Sequence, residues 1–163
     1  MKLKSAIPKI DKIILNEMYL FMLEMINKEN HYPYEKVRNY DVNYWRFISR
    51  YKTEHRIRLL INKDIKTKST VHEIKFGIYD AETNTIDYNQ PGENDEKVFN
   101  THVKIAVDEI IGRHAEIGEY RLPVIDEDPR RARLYRIALN KYIDKKDWDI
   151  SIDKKNTIHL KRK

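Results

Sequence analysis

The stretch from Gly92 to Ile143 constrains the fold of this chain more than any other part. It reads as a loop, a helix, a strand and a second helix, with strand-like sequence before and after it. A helix held between two strands is typical of a sheet covered by helices on at least one face. The stretch therefore predicts a sheet with helical cover, but it predicts no function by itself.

Two helices are predicted within this stretch. The first begins after Asp95, a residue type that caps helix N-termini, and runs to about Arg113. Its apolar residues recur at helical spacing on one buried face, namely Phe99, Val103, Ala106 and Ile110. His102 lies beside that face and is predicted to be a packed histidine. The second helix covers residues 129–143 and begins with Pro129, which suits the first helical position.

Alternation of apolar and polar residues predicts the strands of the sheet. Residues 45–51 and 56–62 alternate on either side of the short segment 52–54, which predicts a hairpin. Further strands are predicted at 71–79, 85–89, 120–125, 148–152 and 157–161. Residues 31–43 are polar and aromatic, and they are predicted to form a loop.

A long helix is predicted over residues 9–29. Its apolar residues recur three to four positions apart, but they cover more than one face. Such a helix is either deeply buried or also covers a partner, and both interpretations stay open. Its methionine and aromatic side chains suit an adaptable contact surface. The candidate partner-binding residues are Tyr19 and Met22 in this helix, and Tyr32 and Tyr34 just after it.

Four arginines share the predicted outer face of the hairpin, namely Arg46, Arg50, Arg56 and Arg58. They form the candidate nucleic-acid-binding surface, because basic side chains bind the phosphates of a nucleic-acid backbone. Their aromatic neighbours would stack on bases; these are Tyr44, Trp45 and Tyr51. The alternative is an ordinary solvated sheet face.

Arg131 has an unusual position on the second predicted helix. At about 100° per residue, it falls in the middle of the apolar arc formed by Leu134, Ala138 and Tyr142. A charged group there either lies beyond the core or is paired. We interpret Arg131 as a structural pin that holds the start of the helix through a salt bridge, with ligand binding as the alternative.

The composition limits the classes of function. The chain has 163 residues, which is one domain by length, and it has no cysteine, so disulfides and thiolate metal sites are excluded. Its formal net charge of +6 is compatible with nucleic acid or an acidic protein as a partner. The N-terminus is too interrupted by charge for a signal peptide, and no apolar run has the length of a membrane helix. We expect no metal site and no membrane association.

Two short motifs in the predicted helices carry a resemblance. Val98, Phe99 and Thr101 open the first helix; the second contains Arg131, Arg133, Leu134 and Tyr135. With these residues the chain resembles a family of small uncharacterised proteins of phages and bacteria, over roughly residues 72–162. The resemblance implies a phage or mobile-element origin, and it carries no assigned activity.

The order of elements over residues 71–161 carries a second resemblance. It is similar to the C-terminal half of the N-acetyltransferase superfamily, which has strand, loop, helix, strand, helix and two strands. That family binds the pyrophosphate of acetyl-CoA at the helix N-terminus that follows the loop. Here Pro91 removes an amide, and Glu93, Asp95 and Glu96 would repel phosphates. We therefore expect the topology without the cofactor.

The predicted fold is a single α+β domain over residues 1–163. It has a twisted, mainly antiparallel sheet, packed helices at 95–113 and 129–143, and an additional N-terminal helix. Residues 45–89 are the β-rich part, and residues 92–162 are the part with helix, strand, helix and two strands.

The predicted function is that of a non-enzymatic accessory protein of phage or mobile-element type. It would act through protein contacts, as a virion component or as an inhibitor of a host system, in the cytoplasm of a bacterial host or in the virion. No Gly-rich phosphate loop, zinc-ligand pair or nucleophile elbow is evident, so catalytic residues stay unassigned. The alternatives are a nucleic-acid-binding protein and an N-acyltransferase that uses acetyl-CoA. Self-association into a homo-oligomer also stays open.

Overall fold

The computed structural model describes residues 20, 23–39, 43–63, 65–88, 95–124 and 129–163. The strands are β1 (Glu35–Arg38), β2 (Asn43–Ile48), β3 (Glu54–Lys63), β4 (Thr70–Asp80), β5 (Thr85–Asp87), β6 (Glu119–Leu122), β7 (Trp148–Ile152) and β8 (Ile158–Arg162). Two helices are α1 (Glu96–Gly112), between β5 and β6, and α2 (Pro129–Tyr142), between β6 and β7. Residues 23–25 are also helical.

The eight strands form one mixed sheet. Its order is β1-β2-β3-β4-β6-β8-β7, and β5 pairs with the end of β4. Every pairing is antiparallel except that of β4 with β6. Parallel neighbours need a long crossover connection, and α1 lies in this connection. The predicted α+β class and the mainly antiparallel sheet are confirmed.

Both helices pack on the same face of the sheet. Phe76 of β4 stacks on His102 of α1 with ring centroids 4.4 Å apart, and on Tyr135 of α2 at 5.3 Å. Apolar side chains of the sheet and of both helices form one core. Its most deeply buried members include Tyr120, Ile57, Ile74, Ile105, Ile110, Leu122, Leu139, Ile158 and Leu160. The other sheet face carries charged and tyrosine side chains.

The segment that precedes β1 is bound across the helices by buried polar side chains. Asn100 Oδ1 accepts a hydrogen bond from the backbone N–H of Asn27 at 3.2 Å. Thr101 Oγ1 accepts one from the backbone N–H of Tyr32 at 2.8 Å. Both side chains on α1 are almost fully buried, where polar groups need partners. These two bonds fix the position of the segment between Asn27 and Tyr32.

The end of α2 holds the same segment from the other side. Lys141 Nζ donates to the carbonyl oxygens of Leu23 at 2.7 Å and Ile26 at 2.5 Å. The hydroxyl of Tyr142 donates to the Ile26 carbonyl at 3.2 Å. A lysine ammonium is a favourable partner for carbonyls at the end of a helical turn. The helical residues 23–25 are thereby tied to α2.

The pairing between β4 and β6 is short. Its register contains His72 opposite Tyr120 and Glu73 opposite Arg121. The pairing stops there, although β4 continues to Asp80. Farther along, the same edge of β4 pairs with β5, because β3 occupies its other edge. The sheet therefore has a narrow seam between its two antiparallel parts.

Three sequence-based boundaries differ from the structure. The predicted loop at 31–43 contains β1, an edge strand whose charged residues hide the alternation. The strand predicted at 120–125 ends at Leu122, just before Pro123, which cannot donate to a ladder. The helix predicted at 9–29 lies mostly outside the described residues, and its described helical part ends at residue 25.

Candidate functional site

A cavity of about 660 Å³ opens at the N-terminal end of α1. Its walls come from the helix start, from the turn between β2 and β3, and from the segment that precedes β1. The described residues that line it are Met25, Asn30, Tyr32, Arg50, Asp95, Glu96 and Lys97. Tyr32, a candidate partner-binding residue, and Arg50, a candidate nucleic-acid ligand, therefore meet in one site.

A hydrogen-bond network closes the base of this cavity. The hydroxyl of Tyr32 donates to Asp95 Oδ2 at 2.5 Å and accepts from the backbone N–H of Arg50 at 3.1 Å. Arg50 Nε lies 3.7 Å from the same carboxylate oxygen. Burial and the hydrogen bond to Asp95 raise the pKa of the Tyr32 phenol. The phenol is thus a fixed structural link between three parts of the chain, and Tyr32 itself is buried.

Asp95 also satisfies the start of α1. Its backbone is extended, and Oδ1 accepts a 2.9 Å hydrogen bond from the backbone N–H of Lys97, which is the geometry of an N-cap. The ammonium of Lys97 lies 4.8 Å from the centre of the Tyr32 ring. The positive end of the helix thus already faces a carboxylate. This arrangement disfavours the binding of a second anion at the same helix end.

A second cavity of about 480 Å³ lies beside the first. The described residues that line it are Pro33, Tyr34, Glu35, Arg46, Phe47, Ile48 and Glu54. The Phe47 ring stacks on Tyr32 at a centroid distance of 5.9 Å and an angle of 11°. Because Tyr32 lines one cavity and Phe47 the other, this stack forms the buried wall between them. Tyr34 is half-buried, and its hydroxyl reaches Asp108 at 3.3 Å.

The rim of the two cavities exposes large side chains. Ile48 is 59% exposed, Tyr51 58% and Met25 41%. The guanidinium of Arg50 lies 4.9 Å from the centre of the Tyr51 ring and donates to its hydroxyl at 2.9 Å. Tyrosine, methionine and arginine are enriched at protein interfaces. The rim therefore has the composition of a protein contact surface.

The other three predicted arginines lie together on the sheet face opposite the helices. Arg46 is directly opposite Arg56 in the register of β2 and β3, and Arg58 is opposite Tyr44. Arg46 forms an ion pair with Glu35, and Arg56 Nε donates to Glu54 at 2.7 Å. Neighbouring carboxylates therefore offset much of the positive charge that the sequence places on this face. Arg50, in the turn, is separate from these three.

Tyrosine rings cover the same arginines. The guanidinium of Arg56 lies 3.4 Å from the centre of the Tyr79 ring and 4.7 Å from that of Tyr44. Arg58 Nη1 donates to the hydroxyl of Tyr88 at 3.2 Å, and Lys75 Nζ lies 5.1 Å from the Tyr88 ring centre. The face is thus a layer of stacked cations and aromatic rings. Tyr79 and Tyr88 were not part of the predicted surface. Their contacts with Arg56, Arg58 and Lys75 depend on the strand register, which the sequence does not reveal.

A buried histidine and tyrosine lie under the helices. His102 Nδ1 is 2.9 Å from the hydroxyl of Tyr135. Burial is the main reason that the pKa of His102 lies well below its usual range. The charges of His55 and Arg131 lower this pKa further. Burial also raises the pKa of Tyr135. His102 is a packed histidine, as predicted, and its burial keeps it away from a dissolved substrate.

Arg131 lies in the first turn of α2 and is half-buried. Its positive charge lowers the pKa of His102 and opposes the rise in the pKa of Tyr135. The guanidinium therefore acts on the buried pair, although Arg131 belongs to the helix start. The role of Arg131 as a structural pin stays a prediction.

Two sequence-predicted residues, Tyr19 and Met22, lie outside the described residues. Among the residues that are described, no group of three or more histidine, aspartate or glutamate side chains could hold a metal ion. In the same part of the chain, no helix has both the length and the apolar character needed to cross a membrane.

Comparison of the chain with protein-family models, with curated proteins and with solved structures finds no match. Sequence reasoning marked Asp95 as a helix cap, but it missed the bond from Tyr32, whose partner lies 63 positions away.

Proposed function

We propose that this protein is a non-enzymatic accessory protein of phage or mobile-element type, which binds another protein at the two cavities beside β2. The observation that carries the proposal is the pair of adjacent cavities, which share the buried wall formed by Tyr32 and Phe47. Two neighbouring cavities with a fixed wall between them suit a partner that inserts one side chain into each. Exposed Ile48 and Tyr51 at the rim would supply apolar contact area.

The fixed base of the site supports the same function. Tyr32, Asp95 and Arg50 are tied to each other, so they are preorganised and lose little conformational entropy when a partner binds. The exposed groups are at the rim instead. Such a division, with a hydrogen-bonded base and an exposed rim, favours recognition of a protein surface over chemical turnover.

A pull-down from host or virion lysate tests this proposal when it is run with two variants. We expect Ile48→Ser combined with Tyr51→Ala to lose the captured partner, because the rim contacts are removed. Ile111→Ser is the matched control, since Ile111 is 54% exposed but lies at the end of α1. Equal capture of the same proteins by all three chains would contradict the proposal, as would the absence of a specific partner.

We further propose that the fold is of the N-acetyltransferase type, although the cofactor site is not retained. The strand order and the short parallel pairing of β4 with β6 around α1 support this topology. The capping of α1 by Asp95 argues against acetyl-CoA at that helix end. An acyltransferase activity is therefore less well supported than binding to a protein.

Nucleic-acid binding is the second candidate function. The layer in which Arg56 lies between Tyr44 and Tyr79 favours it, because nucleic-acid bases stack on aromatic and guanidinium planes. A gel shift with single-stranded DNA or RNA at increasing salt tests it. The test variant combines Arg58→Ala with Lys75→Ala, which removes two positive charges from this face. The control variant combines Lys154→Ala with Lys155→Ala, which removes the same charge elsewhere. Affinity that is unaffected by the first pair, or independent of salt, would exclude this surface.

A further inference from the structure

The two ends of the sheet differ in how well they are protected. At one end, three of the four residues of β1 are charged, namely Glu35, Lys36 and Arg38. At the other end, β7 has the sequence W-D-I-S-I, with one charged residue. Within the described part of the chain, β7 pairs with β8 alone. Proteins commonly protect exposed edge strands with charged residues or proline, and β7 has little such protection.

The hydrogen bonds at both ends of β7 reveal which backbone groups face its free edge. The N–H of Lys163 donates to the Asp147 carbonyl at 2.9 Å, and the N–H of Asp153 donates to the Thr157 carbonyl at 3.0 Å. In an antiparallel ladder, alternate residues bond to the same neighbour. The backbone N–H and C=O groups of Asp149 and Ser151 therefore point towards β8. The backbone C=O groups of the other three residues, Trp148, Ile150 and Ile152, point to the free edge, as do the N–H groups of Ile150 and Ile152. The N–H of Trp148 donates instead to the Asp144 carbonyl at 3.2 Å.

We propose that β7 pairs antiparallel with β7 of a second copy of this chain, so that the two sheets become one. The pairing is centred on Ile150, which lies opposite the partner's Ile150. Trp148 then lies opposite the partner's Ile152. The central Ile150 pair exchanges two hydrogen bonds. Each Trp148–Ile152 pair adds one, from the N–H of Ile152 to the carbonyl of Trp148, because the N–H of Trp148 is already bonded to Asp144. The register is the same seen from either copy, as a two-fold interface requires.

Side chains on both faces fit this register. Trp148, Ile150 and Ile152 all belong to or pack against the core, but Ile150 and Ile152 are only partly buried. Pairing would extend the apolar layer of one copy into that of the other and would bury these isoleucines further. On the opposite face, Asp149 lies opposite the partner's Ser151, so no like charges are directly opposed within the strand.

A cysteine cross-link tests the register. The chain has no cysteine, so Ile150→Cys introduces a single thiol. Hydrogen-bonded antiparallel pairs have Cα atoms about 5.5 Å apart, which is within the range of about 4.4–6.8 Å that a disulfide spans. Under mild oxidation we expect a covalent dimer for Ile150→Cys. Val37→Cys, in the charged edge strand β1, is the matched control and should stay largely monomeric.

Light scattering of the native chain over a concentration series supplies the second measurement. We expect the mass to rise from one chain towards two. Ile150→Pro should remain a monomer, because it removes the N–H that faces the free edge. Its melting temperature should fall only by the loss of one partly buried isoleucine side chain. A monomeric mass at all concentrations would overturn the proposal, as would cross-linking of Ile150→Cys no faster than that of Val37→Cys. If Ile150→Pro fails to fold, the two cysteine variants decide.

Discussion

The hydroxyl of Tyr32 donates a 2.5 Å hydrogen bond to the carboxylate of Asp95, and both residues are buried. This bond joins the segment before β1 to the N-cap residue of α1. Because the same carboxylate caps the helix, Asp95 serves two functions in one position. The start of α1 and the base of the larger cavity therefore depend on each other.

Removal of the Tyr32 hydroxyl should destabilise the protein. We expect Tyr32→Phe to lower the free energy of unfolding by about 1–3 kcal/mol, because a buried carboxylate loses a hydrogen-bond donor. Tyr34→Phe is the control, since its hydroxyl makes a longer bond of 3.3 Å at an exposed site and should contribute less than about 0.5 kcal/mol. Urea unfolding measures both. Equal effects would show that the Tyr32 bond has no special role.

Gly77 should not tolerate a side chain. A Cβ at this position would overlap the Ile86 side chain and lie 2.9 Å from Tyr88 Cδ1. We expect Gly77→Ala to cost about 1–3 kcal/mol of stability, since the β4–β5 hairpin must move. At the end of α1, a Cβ on Gly112 meets nothing within 4 Å, so Gly112→Ala should be neutral or stabilising by up to about 1 kcal/mol. Thermal unfolding of the two variants compares them directly.

Acid should destabilise the protein through its buried histidines. The pKa of His102 is held well below the ordinary 6.5, chiefly by burial, and burial also lowers the pKa of His72. The unfolded chain therefore binds protons more readily than the folded chain does. These two histidines should leave the free energy of unfolding unchanged above about pH 6.5. Below that, it should fall towards the lowered pKa values, by about 1.4 kcal/mol per pH unit for each extra proton that the unfolded chain binds.

Replacement of His102 tests the origin of this acid sensitivity. His102→Phe removes the titrating group and should flatten the fall in unfolding free energy between about pH 6.5 and pH 5. The variant is expected to be less stable near neutral pH, because Tyr135 loses its hydrogen-bond partner. The slope, and not the absolute stability, is therefore the measurement. An equally steep fall for His102→Phe would contradict this origin of the acid sensitivity.

Arg131 should stabilise the start of α2. It is half-buried and acts electrostatically on His102 and Tyr135. We expect Arg131→Ala to lower the free energy of unfolding by about 1–3 kcal/mol, because a half-buried side chain at the helix start is removed together with the pin predicted from the sequence. Arg136 is exposed on the same helix, and Arg136→Ala should change stability by less than about 0.5 kcal/mol. An unchanged melting temperature for Arg131→Ala would contradict its role as a pin.

Acetyl-CoA should not stabilise the protein. The helix end at which its pyrophosphate would bind is capped by Asp95, and Glu96 lies in the first turn. A ligand at 100 times its dissociation constant raises the free energy of unfolding by roughly 2.7 kcal/mol, which a thermal shift assay detects easily. We expect no shift at micromolar acetyl-CoA. A clear rise in melting temperature would favour an acyltransferase over the proposed binding protein.

Local sequence signals predicted the two helices well. Asp95 and Pro129 mark the N-termini of α1 and α2, because a cap and a fixed φ act within the first turn. The alternating runs also located the strands from β2 onward. The strand β1 was missed, since a short edge strand with exposed charges on both sides has no apolar period to detect.

The candidate site was harder to predict, because its contacts join distant parts of the chain. Tyr32 and Arg50 were identified separately as candidate residues, but nothing in the sequence placed them around Asp95. The charge on the arginine face was overestimated for the same reason. Glu35 and Glu54 neutralise Arg46 and Arg56 only once the strands are in register.

The narrow seam between β4 and β6 has a consequence for how the protein opens. On one side of it, the strands β1 to β5 form an antiparallel block; on the other side, β6, β8 and β7 form a second block. Contacts within each block join residues that are closer in sequence than those across the seam, so each block can form early in folding. Slow amide exchange should then reveal two cooperative units with a shared weak boundary. A partner that contacts both blocks across this boundary would stabilise their pairing, so that the two units would open together as one cooperative unit.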